Sequence, residues 1–257
     1  MRKEFREISE WQKRAGARKR DGVFVVEGIR MCGEIPAERL VRAVMTRSFY
    51  QAHRELAERF ENVSGSLLIA DETDFQRISD TKTPQGVLAA VRMETRTEDE
   101  LLRDPKGLFL FLERIQDPGN LGTMLRTSEA AGCSGILMSP DCCDMYNPKT
   151  VRSTMGSVFR VPFAVSEDLG RAAEKLKAMG GRVYAAHLGG SVEYTRPDYR
   201  TISAFLIGNE AEGLTEGLAE KADQRIRIPM RGKVESLNAS LAAAVLLYEA
   251  DRQRRAE

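Results

Sequence analysis

Three polar clusters in the second half of the chain have residue types and spacings suited to chemistry on a bound ligand. They are Asn120 with Arg126 and Glu129, Gly208-Asn209-Glu210 with Gly213, and the stretch holding Glu235, Ser236, Asn238 and Ser240. Each follows a run apolar enough to be a strand: LFLFLERI at 108–115, SAFLIG at 203–208 and QRIRIP at 224–229. In open α/β sheets, ligands lie beyond the C-terminal ends of strands. Each cluster also has a plain structural account. Pro-Gly-Asn makes a turn, Arg126 and Glu129 make a helical i,i+3 ion pair, GNEAEG makes a capped loop, and Ser236 caps a helix. Three such clusters, all at strand ends in one domain, favour a ligand.

The elements that must position these clusters alternate along the chain. From Gly107 onward the pattern predicts a buried parallel strand (LFLFLERI), a break at QDPGNLG, and a helix over TMLRTSEAAGC. It continues with the strand GILMSP, a helix with Pro148 at its first position, the strand RVPFAV, and a helix over DLGRAAEKLKAMG. The strands RVYAAHL, SAFLIG and QRIRIP follow. The last helix carries Leu237, Leu241, Ala244, Val245 and Tyr248 as an apolar stripe. Apolar residues beside the stripe leave the helix apolar almost all round, which calls for burial against a second copy of the chain. Residues 1–95 alternate in the same way on a smaller scale, starting from the strand VFVV and the helix GIRMCGEI. A charged seam over 96–106 reads as a linker or exposed helix, so the expected division is 1–95, 96–106 and 107–257.

The 257 residues suffice for one large or two small domains, at roughly 100–200 residues each. Basic residues number 39 and acidic residues 38, so no global charge draws the protein to nucleic acid and any such surface is local. No apolar run approaches the roughly 18 residues of a membrane span, and no secretory signal is apparent. Cys142 and Cys143 are adjacent, Cys32 and Cys133 stand alone, and His53 and His187 are far apart. That set argues against structural zinc and fits a reducing cytoplasm. Asp117-Pro118-Gly119-Asn120-Leu121-Gly122 is not G-x-G-x-x-G, and no Walker loop occurs.

QDPGNLGTMLRTSEAAG, FLIGNEAEGL and IPMRGKVESLNASLAAAVLLYE resemble, in order, spacing and wording, the three motifs of the SpoU/TrmH RNA ribose 2'-O-methyltransferases of the SPOUT superfamily. The resemblance implies an α/β fold: a C-terminal α/β-knot (deep trefoil knot) methyltransferase domain preceded by a smaller L30e-like α/β domain. It implies S-adenosylmethionine as cofactor, held by Gly208, Ile228 and Leu237, and a homodimer without metal. It also implies that Asn120, Arg126, Glu210, Ser236 and Asn238 surround the reacting ribose. A 2'-hydroxyl is a poor nucleophile that must be aligned and relieved of its proton. Arg126 then serves as a base, or as a clamp on a phosphate or the developing alkoxide.

On the RNA side, the first 20 residues hold eight basic and three acidic side chains, and Arg14, Arg18, Lys19 and Arg20 are expected to reach a phosphate backbone. Phe5 and Trp11 either stack on bases or pack inward. NPKTVRSTMGS adds Lys149, Arg152 and Ser153 to the RNA side by the same resemblance. For a two-domain chain the resemblance implies 23S ribosomal RNA as the substrate. The alternatives are transfer RNA, or a non-catalytic RNA-binding dimer scaffold.

Overall fold

Alternating strands and helices build two separate sheets in the computed structural model, which describes residues 2–63, 65–189 and 192–256. By internal packing, the chain up to Glu94 groups with Asp144–Phe159, and Thr95–Cys143 groups with the chain from Arg160 onward.

In the first unit, β1 (Val23–Glu27), β2 (Leu40–Thr46), β3 (Leu67–Ala70) and β4 (Val87–Arg92) lie in the order β1-β4-β2-β3. Strand β4 is antiparallel to β1 and β2, and β3 is parallel to β2. The basic N-terminus is two helices, Lys3–Lys13 and Ala15–Asp21. Phe5, Ile8 and Trp11 recur every third residue and so share one face, which is buried in a core with Val25, Phe75 and Leu88. The two aromatic residues therefore pack inward. The segment Asp144–Phe159 completes this unit: the Tyr146 ring lies 4.6 Å from that of Phe24 at a tilt of 41°, and the Arg39 guanidinium lies 5.5 Å over the Phe159 ring.

The second unit holds β5 (Leu108–Leu112), β6 (Gly135–Met138), β7 (Phe163–Val165), β8 (Arg182–Ala186), β9 (Val192–Glu193), β10 (Ser203–Ile207) and β11 (Gln224–Arg227). They form a parallel sheet in the order β7-β6-β5-β10-β8-β11-β9. Every residue of β5 and β10 is buried, as expected of central parallel strands covered on both faces. The chain builds outward from β5 towards β7 and then returns to the other side. The sheet therefore has its switch point between β5 and β10, and a cavity lies beyond the C-terminal ends of β10, β8 and β11. The seam at 96–106 is not a free linker. A Thr97/Glu100 capping box starts a short helix there, and Leu101 and Leu102 enter the core of the second unit.

Two helix starts differ from the sequence reading. The helix over the first motif runs Pro118–Ala130 and begins inside PGNLG, because Asp117 accepts from Asn120 N at 2.8 Å and Pro118 takes the first turn. The last helix runs Ala239–Arg255, capped by Asn238 and not Ser236. Its buried face is Ala243, Leu246, Leu247 and Ala250, while Leu241 and Tyr248 of the expected stripe are 55% and 47% exposed. A helix apolar almost all round offers two faces at the same spacing, and the helix Pro118–Ala130 and β10 take the other one. At its far end Arg254 donates to the carbonyls of Lys106, Gly107, Tyr199 and Thr201, pinning it near the starts of β5 and β10. The helix thus runs against the strands, and its N-terminus arrives at their C-terminal edge.

Candidate active site

After β5 and β10 the chain forms two segments that are stapled together. Glu113 accepts from both Thr215 N and Thr215 Oγ1 at 2.7 Å. Asn209 Nδ2 donates to Arg114 O at 2.8 Å, and Arg114 Nη1 donates to Glu212 at 2.8 Å. Arg114 sits in the left-handed region at φ 55, an uncommon conformation for a side-chain-bearing residue, and both of its links to the 209–212 loop leave from that turn. The loop folds back on itself through reciprocal main-chain bonds between Asn209 and Gly213. A Cβ on Gly208 would lie 2.2 Å from Gly213 C and Leu214 N. Glycine is required there by that fold-back of the chain.

Glu210 stands at the crossing. Its carboxylate accepts from Gln116 N and Asp117 N at 3.2 Å and from Asn120 Nδ2 at 3.0 Å. Partial burial pushes its pKa up, but the hydrogen bonds from Asn120 and the main chain outweigh this and hold it below the usual glutamate value. Asn120 Oδ1 in turn accepts from Asn238 Nδ2 at 3.0 Å. Asn238 Oδ1 caps the last helix, accepting from Ser240 N at 2.9 Å and Leu241 N at 3.4 Å. Three of the five residues expected around the ribose are therefore in direct contact.

Beside this chain lies a cavity of about 620 Å3. Gly208, Ile228 and Leu237 all line it, with Ile226 and Leu246 extending the apolar wall and Glu210 and Ser236 at its polar side. Ser236 is exposed on the approach to the last helix. Arg126 is exposed on its helix, away from the cavity lining, and has no hydrogen-bond or ion-pair partner among the described residues. The expected pair with Glu129 does not form. Glu129 takes Arg160 instead, with Arg160 Nη2 3.1 Å from its carboxylate.

The residues expected on the RNA side divide. Arg14, Lys19 and Lys149 are exposed, and Arg20 is exposed and paired with Asp21 at 2.8 Å. Arg18 is 3% exposed and donates to Asp144 and to the carbonyls of Trp11 and Gln12, so it holds the fold and does not face solvent. Arg152 is half-buried against Asp80 at 2.6 Å, and Ser153 Oγ donates to Lys149 O. Sequence reading missed Glu113, Arg114 and Thr215. The signal for the first two was a pair of charged residues placed directly after an all-apolar strand.

A parallel sheet with a ligand-sized cavity beyond its strand ends and a polar chain at the cavity edge defines an α/β enzyme that works on a bound small molecule. The sequence model of the SpoU rRNA Methylase family matches residues 107–248, and that of the MRM3-like substrate binding domain matches residues 3–89. The 23S rRNA (guanosine(2553)-2'-O)-methyltransferase RlmP of Bacillus subtilis (strain 168) is 31% identical over 94% of this chain and 94% of its own length. The AdoMet-bound rRNA methyltransferase structure from Sinorhizobium meliloti superposes with a TM-score of 0.85 at 31% identity, covering 97% of this chain and 94% of that one. The SpoU methyltransferase AviRb from Streptomyces viridochromogenes, in complex with AdoMet, gives 0.88 at 27% identity over 99% of both chains. This chain belongs to the SpoU rRNA methylase family.

Proposed function

We propose that this protein transfers a methyl group from S-adenosylmethionine to the 2'-hydroxyl of a ribose in 23S ribosomal RNA. The observation that carries the reading is the cavity shared by Gly208, Ile228 and Leu237, with the Glu210–Asn120–Asn238 chain at its edge. Its volume of about 620 Å3 suits a nucleoside-sized ligand, since small-molecule sites span roughly 300–1,000 Å3. Ile226, Ile228, Leu237 and Leu246 offer a purine the apolar wall it needs, and the main chain around Gly208 offers directed polar groups. S-adenosylmethionine supplies an electrophilic methyl group on a sulfonium, which needs no metal to activate it. The relatives that support the RNA target are RlmP of Bacillus subtilis and the 23S rRNA (uridine(2479)-2'-O)-methyltransferase of Streptomyces viridochromogenes.

The chain's own residues then divide the work. In this reading Ser236, which lines the cavity, accepts from or donates to the ribose. The exposed Arg126 guanidinium stabilises the developing alkoxide or clamps an adjacent phosphate. Arg14, Lys19 and Lys149 add phosphate contacts, a sequence-independent share of affinity. The exposed face of the last helix, Leu241 and Tyr248, supports a homodimer. The trefoil knot is an expectation taken from the family, and the cytoplasm, where ribosomal RNA is made, is the expected site of action.

The test is methyl transfer from labelled S-adenosylmethionine to deproteinised 23S RNA, assembled large subunits and transfer RNA, with mapping of the modified ribose. Label at a 2'-oxygen of 23S RNA is the expected result. Label confined to transfer RNA overturns the ribosomal assignment, and label on a base overturns the chemistry.

A further inference from the structure

We propose that Glu210, Asn120 and Asn238 are positioning residues: a hydrogen-bond chain of fixed polarity that holds two walls of the methyl-donor cavity in register. This rests on the reading that the cavity takes S-adenosylmethionine.

The argument is one of donors and acceptors. A carboxylate only accepts, so Asn120 must turn its Nδ2 to Glu210, which leaves Oδ1 facing Asn238. From the other end, Asn238 Oδ1 is taken by Ser240 N and Ser240 Oγ, at 2.9 and 2.7 Å, and by Leu241 N. Asn238 must therefore turn its own Nδ2 outward, to Asn120. Both ends dictate the same orientation for both amides, and flipping either one would set donor against donor or acceptor against acceptor. The links join residues 90 and 118 positions apart, so nothing local in the sequence imposes them.

The two ends also reach the same ligand space from different elements. Glu210 belongs to the loop after β10 that lines the cavity. Asn238 caps the helix whose Ala239, Ala242 and Leu246 line it as well. The helix carrying Asn120 does not line the cavity, so Asn120 acts only through its neighbours. A ligand in the cavity touches the loop and the helix together, and the chain fixes the distance between them before it arrives. A network of this kind is worth more than its separate bonds.

The experiment uses the full-length protein with Asn120→Asp, Glu210→Gln, the double variant, and Asn238→Asp. Asn120→Asp sets two carboxylates face to face with no donor between them. In the double variant the amide at position 210 donates to the carboxylate at position 120, rejoining the chain with its polarity reversed at that link. Calorimetry gives S-adenosylmethionine affinity, and single-turnover transfer to deproteinised 23S RNA at saturating cofactor gives the rate. Asn120→Asp is expected to lose at least about tenfold in both, and the double variant to recover part of that loss, as for coupled neighbours. Asn238→Asp keeps the helix cap, since aspartate caps as well as asparagine, but removes the donor to Asn120. It is expected to lose about tenfold or more in rate with an unchanged melting temperature, which a capping role alone would not produce.

A double variant worse than both single variants by the product of their losses overturns the chain, as does Asn238→Asp at the wild-type rate. If Asn120→Asp fails to fold, Asn238→Asp decides alone. A wild-type protein that neither binds S-adenosylmethionine nor methylates RNA fails the functional reading instead, and is told apart by that control.

Discussion

Arg18 Nη2 lies 2.5 Å from Asp144 Oδ2, with the arginine side chain 3% exposed and the carboxylate 24% exposed. The same guanidinium donates to the carbonyls of Trp11 and Gln12, so one planar fork ties the N-terminal helices to a segment 126 residues away in sequence. Arg18→Ala should therefore destabilise the first unit by about 3 kcal/mol, the lower end of the range for breaking a buried pair, because Asp144 keeps some water. Chemical denaturation measures it. The salt dependence of RNA binding should be unaltered, whereas Arg14→Ala and Lys19→Ala should each make it shallower.

The packing of Asp144–Phe159 with the first unit bears on dissection of the protein. A chain starting at residue 95 keeps every residue that lines the cavity, since all of these lie between Ala186 and Leu246. It also strips Phe24 from Tyr146 and Arg39 from Phe159, exposing large apolar groups. The expected outcome is S-adenosylmethionine affinity within about threefold of the full chain, together with self-association visible by light scattering. A monodisperse truncated protein would show that Asp144–Phe159 does not need its partner.

What the sequence disclosed follows the range of the forces involved. The strands β5 and β10 were legible because an apolar run of that length has few other uses. The cavity residues Gly208, Ile228 and Leu237 were reached through motif resemblance, and their meeting in one cavity is tertiary. The helix starts at Pro118 and Ala239 were misplaced because Asp117 and Asn238 compete with equally good caps nearby, and only the crossing with Glu210 and Asn120 selects them. Arg18 read as surface because composition carries no record of an aspartate at position 144. The Arg126–Glu129 pair looked local, and a residue from elsewhere, Arg160, took the glutamate.

Glu210 gives a pH signature. Its folded pKa lies below the ordinary glutamate value, so its contribution to stability is fully present above the unfolded pKa of about 4.3 and is lost as pH falls through the folded value. Glu210→Gln removes that titration. The difference in melting temperature between wild type and Glu210→Gln should be constant above about pH 5.5 and shrink steadily towards pH 3. Asp21 and Asp198, both depressed to about 2, are common to the two proteins and cancel in the difference. A difference independent of pH would mean that the carboxylate charge contributes nothing at this crossing.

The dimer proposal is tested on the exposed face of the last helix. Leu241 is 55% exposed, so Leu241→Arg costs the single chain little and places a charge where a symmetric partner would bury it. Sedimentation at micromolar concentration should show the wild type as a dimer and the variant as a monomer with an unchanged far-ultraviolet spectrum. A monomeric wild type would remove the proposal altogether.

Arg126 decides whether the polar side does chemistry. It is exposed, lacks a partner among the described residues and does not line the cavity, so its loss should leave S-adenosylmethionine affinity within about twofold of wild type. If it stabilises charge that develops on the ribose oxygen, Arg126→Ala should slow single-turnover transfer by about 100-fold or more at saturating RNA and cofactor, as for a lost oxyanion donor. Arg126→Lys separates two roles: a point charge that clamps a phosphate survives the change better than a forked donor does. Glu129 supplies the control. Because it pairs with Arg160, Glu129→Ala should not reproduce the Arg126→Ala defect, whereas a Glu129 that oriented Arg126 would share it. Transfer by Arg126→Ala at the wild-type rate would make Arg126 a surface residue and leave Ser236 as the remaining candidate for contact with the reacting oxygen.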